Sequence, residues 1–184
     1  MDGQAWYSNV GGFLMRSILF RVIVVGVLGV AGYSQVSESS KDDSTRSDNG
    51  EIVEAGDVGV LVLKVGDCVQ LPPEFKSQLL GDTSELMTFS SFSAVPCTEL
   101  HDAELFSIRI LNLSEFPGED VLFDEFSGPC TDDYATYSGV DYDLSPHIVF
   151  PMVPSTISWE QGDRELQCFA IMENGDQLGA TIKN

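Results

Sequence analysis

Cysteines at positions 68, 97, 130 and 168 constrain this chain more than any other feature. Four cysteines in one small domain read either as two disulfides or as a metal site. Cys97 lies in the stretch Val95-Pro96-Cys97-Thr98-Glu99-Leu100-His101-Asp102-Ala103-Glu104-Leu105-Phe106, which also holds one of only two histidines and three acids. Cys97, His101 and Glu104 give a Cys-x3-His-x2-Glu arrangement, but the Cys-x2-Cys and His-x3-His spacings typical of zinc ligands are absent. Disulfides are therefore the expectation. Three pairings are possible. Cys68–Cys97 with Cys130–Cys168 closes the shortest non-crossing loops, each contributing about 3–4 kcal/mol on the chain-entropy model.

Disulfides need an oxidising compartment, and the N-terminus supplies a route to one. Residues 1–12 are polar and are expected to stay in the cytoplasm. Residues 13–33 form an apolar run with Arg16 and Arg21 on its N-terminal side. Its uncharged part, Val22 to Tyr33, rises only about 18 Å as a helix, against roughly 30 Å of hydrocarbon. Starting the helix at Leu14 makes it long enough, with the arginines snorkelling to the inner headgroups. A single transmembrane signal anchor over 13–33 is the expectation. A cleaved secretory signal peptide, releasing the rest as a secreted domain, is the alternative. Either way, the positive-inside rule places everything after the run outside the cytoplasm. Residues 34–57 are rich in serine and aspartate and read as a disordered acidic linker.

The chain carries 29 acids against nine lysines and arginines, a formal net charge of -20. That charge repels nucleic acid and anionic lipid and favours cations or a basic partner.

The folded part is expected over 58–184. Val58–Val65 and Cys68–Leu71 read as strands. Residues 74–92 are weakly patterned and read as a loop with a short helical turn. Ala94–Cys97 and Ala103–Leu111 are expected as strands. Alternation in the second puts Leu105, Ser107, Arg109 and Leu111 on one face and Glu104, Phe106, Ile108 and Ile110 on the other. Residues 119–137 read as helical, broken or kinked at Gly128-Pro129. Ile148–Phe150 is a short strand, with Pro151 and Pro154 keeping the next few residues from regular pairing. Ser155–Glu160 resembles a capped helical turn, Arg164–Met172 a strand, and Asn174-Gly175 a hairpin turn returning through Leu178–Ile182. The fold class is thus α+β: a small disulfide-stapled domain of antiparallel strands with one or two short helices.

No active site is visible. A Cys97/His101 nucleophile pair lacks a group placed to orient the ring. Paired acids such as Glu99 with Glu104 arise by chance in a chain this acidic. Asp132, Asp133, Asp141 and Asp143 could gather calcium but lack EF-hand spacing. No phosphate loop or metalloprotease motif appears. His101, Asp102 and Glu104 are expected to bond backbone near a disulfide, Arg164 to meet Glu104 or Asp67, and Trp159 to anchor the core. Alternatively His101, Glu104, Trp159, Asp163 and Arg164 form one partner surface beside Cys97. No cofactor or metal is called for, and no feature sets an oligomeric state.

Taken in order, Val65-Gly66-Asp67-Cys68, the Cys97–Phe106 stretch, Phe116-Pro117-Gly118, Cys130, and Trp159-Glu160-Gln161-Gly162-Asp163-Arg164-Glu165-Leu166-Gln167-Cys168 resemble the signature of the septum formation domain family of actinobacterial membrane-anchored envelope proteins. The closing Leu178-Gly179-Ala180-Thr181-Ile182-Lys183 is similar to the end of such domains, so the resemblance spans roughly Val60 to Lys183. It implies a membrane-tethered, extracytoplasmic module loosely linked to cell division, and no known reaction. The expectation is a non-enzymatic module that binds an envelope component or a division protein. A hydrolase using His101 and nearby carboxylates is the competing expectation.

Overall fold

A computed structural model describes residues 23–25, 40–81, 87–126 and 128–184. In chain order the strands are β1 (Ile23–Val25), β2 (Thr45–Arg46), β3 (Ile52–Glu54), β4 (Gly56–Gly59), β5 (Cys68–Gln70), β6 (Met87–Thr88), β7 (Ser91–Val95), β8 (Ala103–Ile110), β9 (His147–Pro154) and β10 (Glu165–Met172). The helices are α1 (Pro73–Leu80), α2 (Glu119–Phe126), α3 (Pro129–Ser138) and α4 (Thr156–Glu160). The α+β class holds, with more helix than the one or two elements expected. Residues 119–138 break into two helices at Gly128-Pro129, as the sequence indicates. The capped turn after Pro154 is also present: Ser155 and Ser158 form a reciprocal capping box around the start of α4.

Eight strands form one sheet in the order β4-β7-β5-β8-β10-β9-β1-β6, antiparallel except for β1, which runs parallel to β9 and β6. This order forces curvature. In a flat sheet β6 would stand roughly 29 Å from β7, six spacings of about 4.8 Å away. The link from Thr88 to Ser91 spans at most about 11 Å, so the sheet wraps until its ends meet at Phe89 and Ser90. Ser90 O accepts from Val60 N at 3.0 Å, joining that corner to the end of β4.

The wrapped interior holds Val58, Val60, Val69, Leu105, Met152, Ile171 and a phenylalanine cluster, capped by Phe75 and Leu79 of α1. Phe150 and Phe169 stack with centroids 5.2 Å apart, and Phe75 meets Phe150 edge-on at 5.7 Å. The outer face carries a second core, where Phe106, Val149, Val153, Leu166, Cys168 and Ala170 lie with Leu122, Cys130, Tyr134 and Trp159. β10 is paired on both edges, and its residues Leu166–Ile171 are all buried.

Several expectations are corrected. Residues 40–57 are not an unstructured linker: they form β2, β3 and the start of β4, with Ile52 buried in the inner core. Low apolar content misleads here, because backbone pairing and ion pairs hold the segment. Asp43 N donates to Asp57 O at 2.9 Å and Gly59 N to Lys41 O at 2.6 Å. Gly56 makes the approach possible, since a Cβ there would fall 2.5 Å from the backbone of Asp43. Val58–Val65 is not one strand; after Gly59 it turns into a 3-10 segment, Val60–Val62. Residues 74–92 hold α1, β6 and the start of β7. β9 runs through Pro151 to Pro154, with Pro151 opposite Cys168 in the register. Such a proline is tolerated only where the missing N–H faces away from the partner strand.

In β8 the face assignment holds through Phe106 and fails beyond it. The register with β10 passes from Leu105 directly to Ser107, leaving Phe106 as an extra residue. A bulge of this kind moves the following side chains to the opposite face. Ser107 and Arg109 therefore meet α3, while Ile108 packs on the inner core. Leu178–Ile182 is no returning strand either. Both edges of β10 are occupied, so Leu178 bridges to His101 instead.

Of the apolar run expected as an anchor, only Ile23–Val25 falls among the described residues. Those three are extended rather than helical. The rest of 13–33, all of 1–12 and residues 34–39 lie outside the described residues. Among the described residues no helix is long and apolar enough to cross a membrane.

Candidate functional site

β5 and β8 pair with Cys68 directly opposite Glu104, which sets both side chains on the helix-covered face. The chain leaving β7 turns at Pro96 and brings Cys97 onto Cys68, closing the first disulfide across 29 residues. The second, Cys130–Cys168, crosses 38 residues and ties α3 to β10. Of the three possible pairings, the one that closes the shortest non-crossing loops is present, and no cysteine is free.

Beside the first disulfide three buried acids each hold a different peripheral segment. Asp67 receives a two-pronged ion pair from Arg46, at 2.7 and 2.8 Å, and also accepts from Lys64 N at 2.8 Å. Arg46 further bonds Asp42 and Gly50 O, so the β2–β3 hairpin is clamped to the sheet. The bond to Asp67, against the opposing effect of burial, raises the Arg46 guanidinium pKa well above its usual value. Asp102 meets Lys76 Nζ of α1 at 2.6 Å and caps Leu71 N at 3.0 Å. Glu104, fully buried, accepts from Tyr137 Oη at 2.6 Å, Thr181 Oγ1 at 2.7 Å and Ile182 N at 2.7 Å. Burial, then the bond to Glu104, pushes the Tyr137 phenol far above its ordinary range.

His101 completes this seam. Its backbone exchanges both hydrogen bonds with Leu178, at 3.0 and 2.8 Å, so the C-terminal tail is held at two points, His101 and Glu104. The His101 ring is fully buried. Its Nδ1 lies 2.8 Å from Glu99 O, and because a carbonyl only accepts, Nδ1 carries the proton. Nε2 is buried without a partner. The Sγ of Cys68, a ring nitrogen of His101 and an oxygen of Glu104 all lie within 4.8 Å of one another.

Trp159, Asp163 and Arg164 belong elsewhere. Arg164 stacks on the Trp159 ring at 3.6 Å and donates to Trp159 O and Asp163 O at 2.8 and 2.6 Å. Trp159 in turn packs on Phe116 at 5.4 Å. Asp163 accepts from Glu165 N at 3.0 Å, and burial raises its carboxyl above the usual range. Glu104 lies opposite Ala170, six residues along β10 from Arg164, which is about 20 Å of strand. The five residues expected as one surface thus form two clusters at opposite ends of β10. Arg164 reaches neither Glu104 nor Asp67, whose cation is Arg46. In the acidic quartet, Asp133 pairs with Arg109 at 2.5 Å and Asp141 accepts from Asp143 N. Burial opposes the ionised form of Asp133, yet the bonds from Arg109 and Ser107 hold its pKa below the usual value.

Sequence reasoning missed Arg46, Lys76, Tyr137 and Thr181. Tyr137 gave a signal in its helical spacing with Cys130 and Tyr134. The others gave none, because their partners are distant in the chain.

The fold and seam define a twice-stapled α+β domain whose buried acids fasten its own periphery. A family model described as septum formation matches residues 35–168, and the chain belongs to that family. The resemblance read from the motifs is borne out, and the match begins within the stretch read as linker. The family's description links the chain to septum formation, and so to cell division, at the level of the family. No curated protein and no solved structure matches the chain.

Proposed function

We propose that the protein is an exported, membrane-tethered module that binds a protein or envelope component during septum formation and catalyses no reaction. The observation that carries the export half is the pair of disulfides with no cysteine left free. Such domains fold and persist where thiols are oxidised, and the apolar run 13–33 with its flanking arginines offers the route there. The binding half is supported by how the buried acids are used. Asp67, Asp102 and Glu104 each secure an internal segment, which suits a rigid scaffold presenting a surface. The charge of -20 favours a basic partner.

The test is fractionation and intact-mass measurement of the protein from its native envelope, followed by crosslinking. The reading expects a membrane-bound protein that retains residues 1–33, is released by detergent and not by salt, and crosslinks to a discrete partner. Ile23–Val25 pairs with β9. A soluble protein that retains residues 1–33 would mean that the run packs as sheet, and would overturn the tether. Turnover of a wall substrate that His101→Ala abolishes would overturn the binding role in favour of a hydrolase.

A further inference from the structure

A buried polar atom without a partner is destabilising and calls for an explanation. His101 Nε2 is such an atom. His101 belongs to a group of potential metal ligands whose other members are Cys68 and Glu104. The ring is already set as a metal ligand is usually set: Nδ1–H is committed to a backbone carbonyl, leaving the Nε2 lone pair free. Glu104 is likewise fixed by three donors. The missing ligands are the two sulfurs, which are bonded to each other.

We infer that reduction of the Cys68–Cys97 disulfide converts this seam into a site for a zinc-class divalent cation, held by the thiolates of Cys68 and Cys97, His101 Nε2 and an oxygen of Glu104. Two sulfurs, a nitrogen and an oxygen suit a tetrahedral, borderline-soft ion. Zinc bonds of about 2.0–2.3 Å put tetrahedral ligands roughly 3.3–3.8 Å apart. Cys68, His101 and Glu104 already offer ligand atoms within 4.8 Å of one another, about 1 Å beyond that spacing, and reduction frees Cys97 Sγ to part from Cys68 Sγ and take the fourth position.

The conversion balances with a dithiol as reductant. One of its thiolates attacks the sulfur of Cys97, the residue of the pair that is only partly buried; Cys68, fully buried, leaves as a thiolate beside His101. The second thiol of the reductant then displaces Cys97 and closes the reductant's own disulfide. Two electrons have passed to the cystine, and the cation takes the place of the two thiol protons. The inference stands whether or not the chain is tethered.

The experiment uses the full chain reduced with a water-soluble phosphine, titrated with zinc against a chromophoric chelator and then studied by zinc X-ray absorption. The reduced protein is expected to bind one equivalent, with two sulfur and two nitrogen or oxygen neighbours. The Cys130→Ser/Cys168→Ser variant should bind equally. The oxidised protein should bind at least 100-fold more weakly, and reduced Cys97→Ser and His101→Asn at least tenfold more weakly. Because His101→Asn can fail to fold, the absorption spectrum of the reduced native sequence is the independent readout. Four sulfur neighbours would overturn the assignment, as would undiminished binding by a folded His101→Asn. A reduced protein that neither binds zinc nor is refolded by it would overturn it as well.

Discussion

The two faces of the sheet are built on different principles. The inner face is apolar and aromatic, with five phenylalanines in contact and no disulfide among the described residues. The outer face carries both disulfides, the Glu104 lock, the Tyr134–His147 pair and the Trp159–Arg164 stack. Burial of large rings is non-directional: it fixes that the sheet must wrap, but not which segment lies where. Hydrogen bonds and disulfides are directional and fix position. Each segment that the wrapped sheet cannot hold by itself, namely the hairpin, α1, α3 and the tail, is fastened by named covalent or polar links.

The largest effects should come from breaking either principle at its centre. Phe169→Ala removes a ring in contact with Phe92 and Phe150 and should cost about 3–5 kcal/mol. Cys130→Ser/Cys168→Ser should cost about 3.5–4 kcal/mol on the chain-entropy model. Urea unfolding separates them. The phenylalanine variant should lose stability with the disulfides intact or reduced. The cysteine variant should lose it only relative to the oxidised native sequence. If reduction leaves the stability of the native sequence unchanged, the outer face is not held by its staples.

The polar locks come next. Arg46→Ala leaves Asp67 buried without its cation and should cost about 1.5–3 kcal/mol, the range for hydrogen bonds to charged groups. Its signature is local: proteolysis should begin within residues 40–57 while the rest of the sheet stays protected. Glu104→Gln sets an amide against three donors and should cost about 1–3 kcal/mol. It should speed hydrogen exchange at Leu178 and Ile182 and bring the Tyr137 titration back toward that of a free phenol. An unchanged tyrosine titration would mean that burial alone perturbs it.

The same contrast explains what could be read from the sequence. Local signals were legible: the cysteine pairing as the shortest non-crossing choice, the helix break at Gly128-Pro129, and the serine cap of α4. So was the ordered set of motifs that marks the family. What failed depended on partners far along the chain. Asn174-Gly175 turns as its residues dictate, but no local rule says that β8 and β9 already fill both edges of β10. The bulge at Phe106 leaves no mark in an alternating sequence. Arg46 looks like an isolated charge in a polar stretch until Asp67, 21 residues on, is placed beside it. The grouping of His101 with Trp159 and Arg164 failed for the same reason: both ends of β10 carry buried polar residues, and the sequence does not show the length of strand between them.

pH gives the smallest effect and sets the two ends of β10 against each other. On the outer face His147 is half-buried, 2.6 Å from Tyr134 Oη, and burial depresses its pKa despite the nearby charge of Glu104. The unfolded chain takes up a proton near pH 6.5, roughly the ordinary histidine value, whereas the folded chain resists it. The contribution of His147 is therefore present above about pH 6.5 and is lost as pH falls toward its folded pKa. Asp163 and Glu165, near the start of β10, behave in the opposite sense. Burial raises both, so the folded state binds their protons first, and their contribution grows as pH falls below the folded values. Stability should thus decline as pH falls below about 6.5, the unfolded histidine value, and then level or recover at lower pH, before general acid unfolding. His147→Gln, which keeps a partner for Tyr134, should flatten the first limb only. Asp163→Asn should shrink the second only, leaving the share of Glu165. Chemical denaturation at closely spaced pH values resolves the two limbs, and a decline that survives His147→Gln would assign it to a different group.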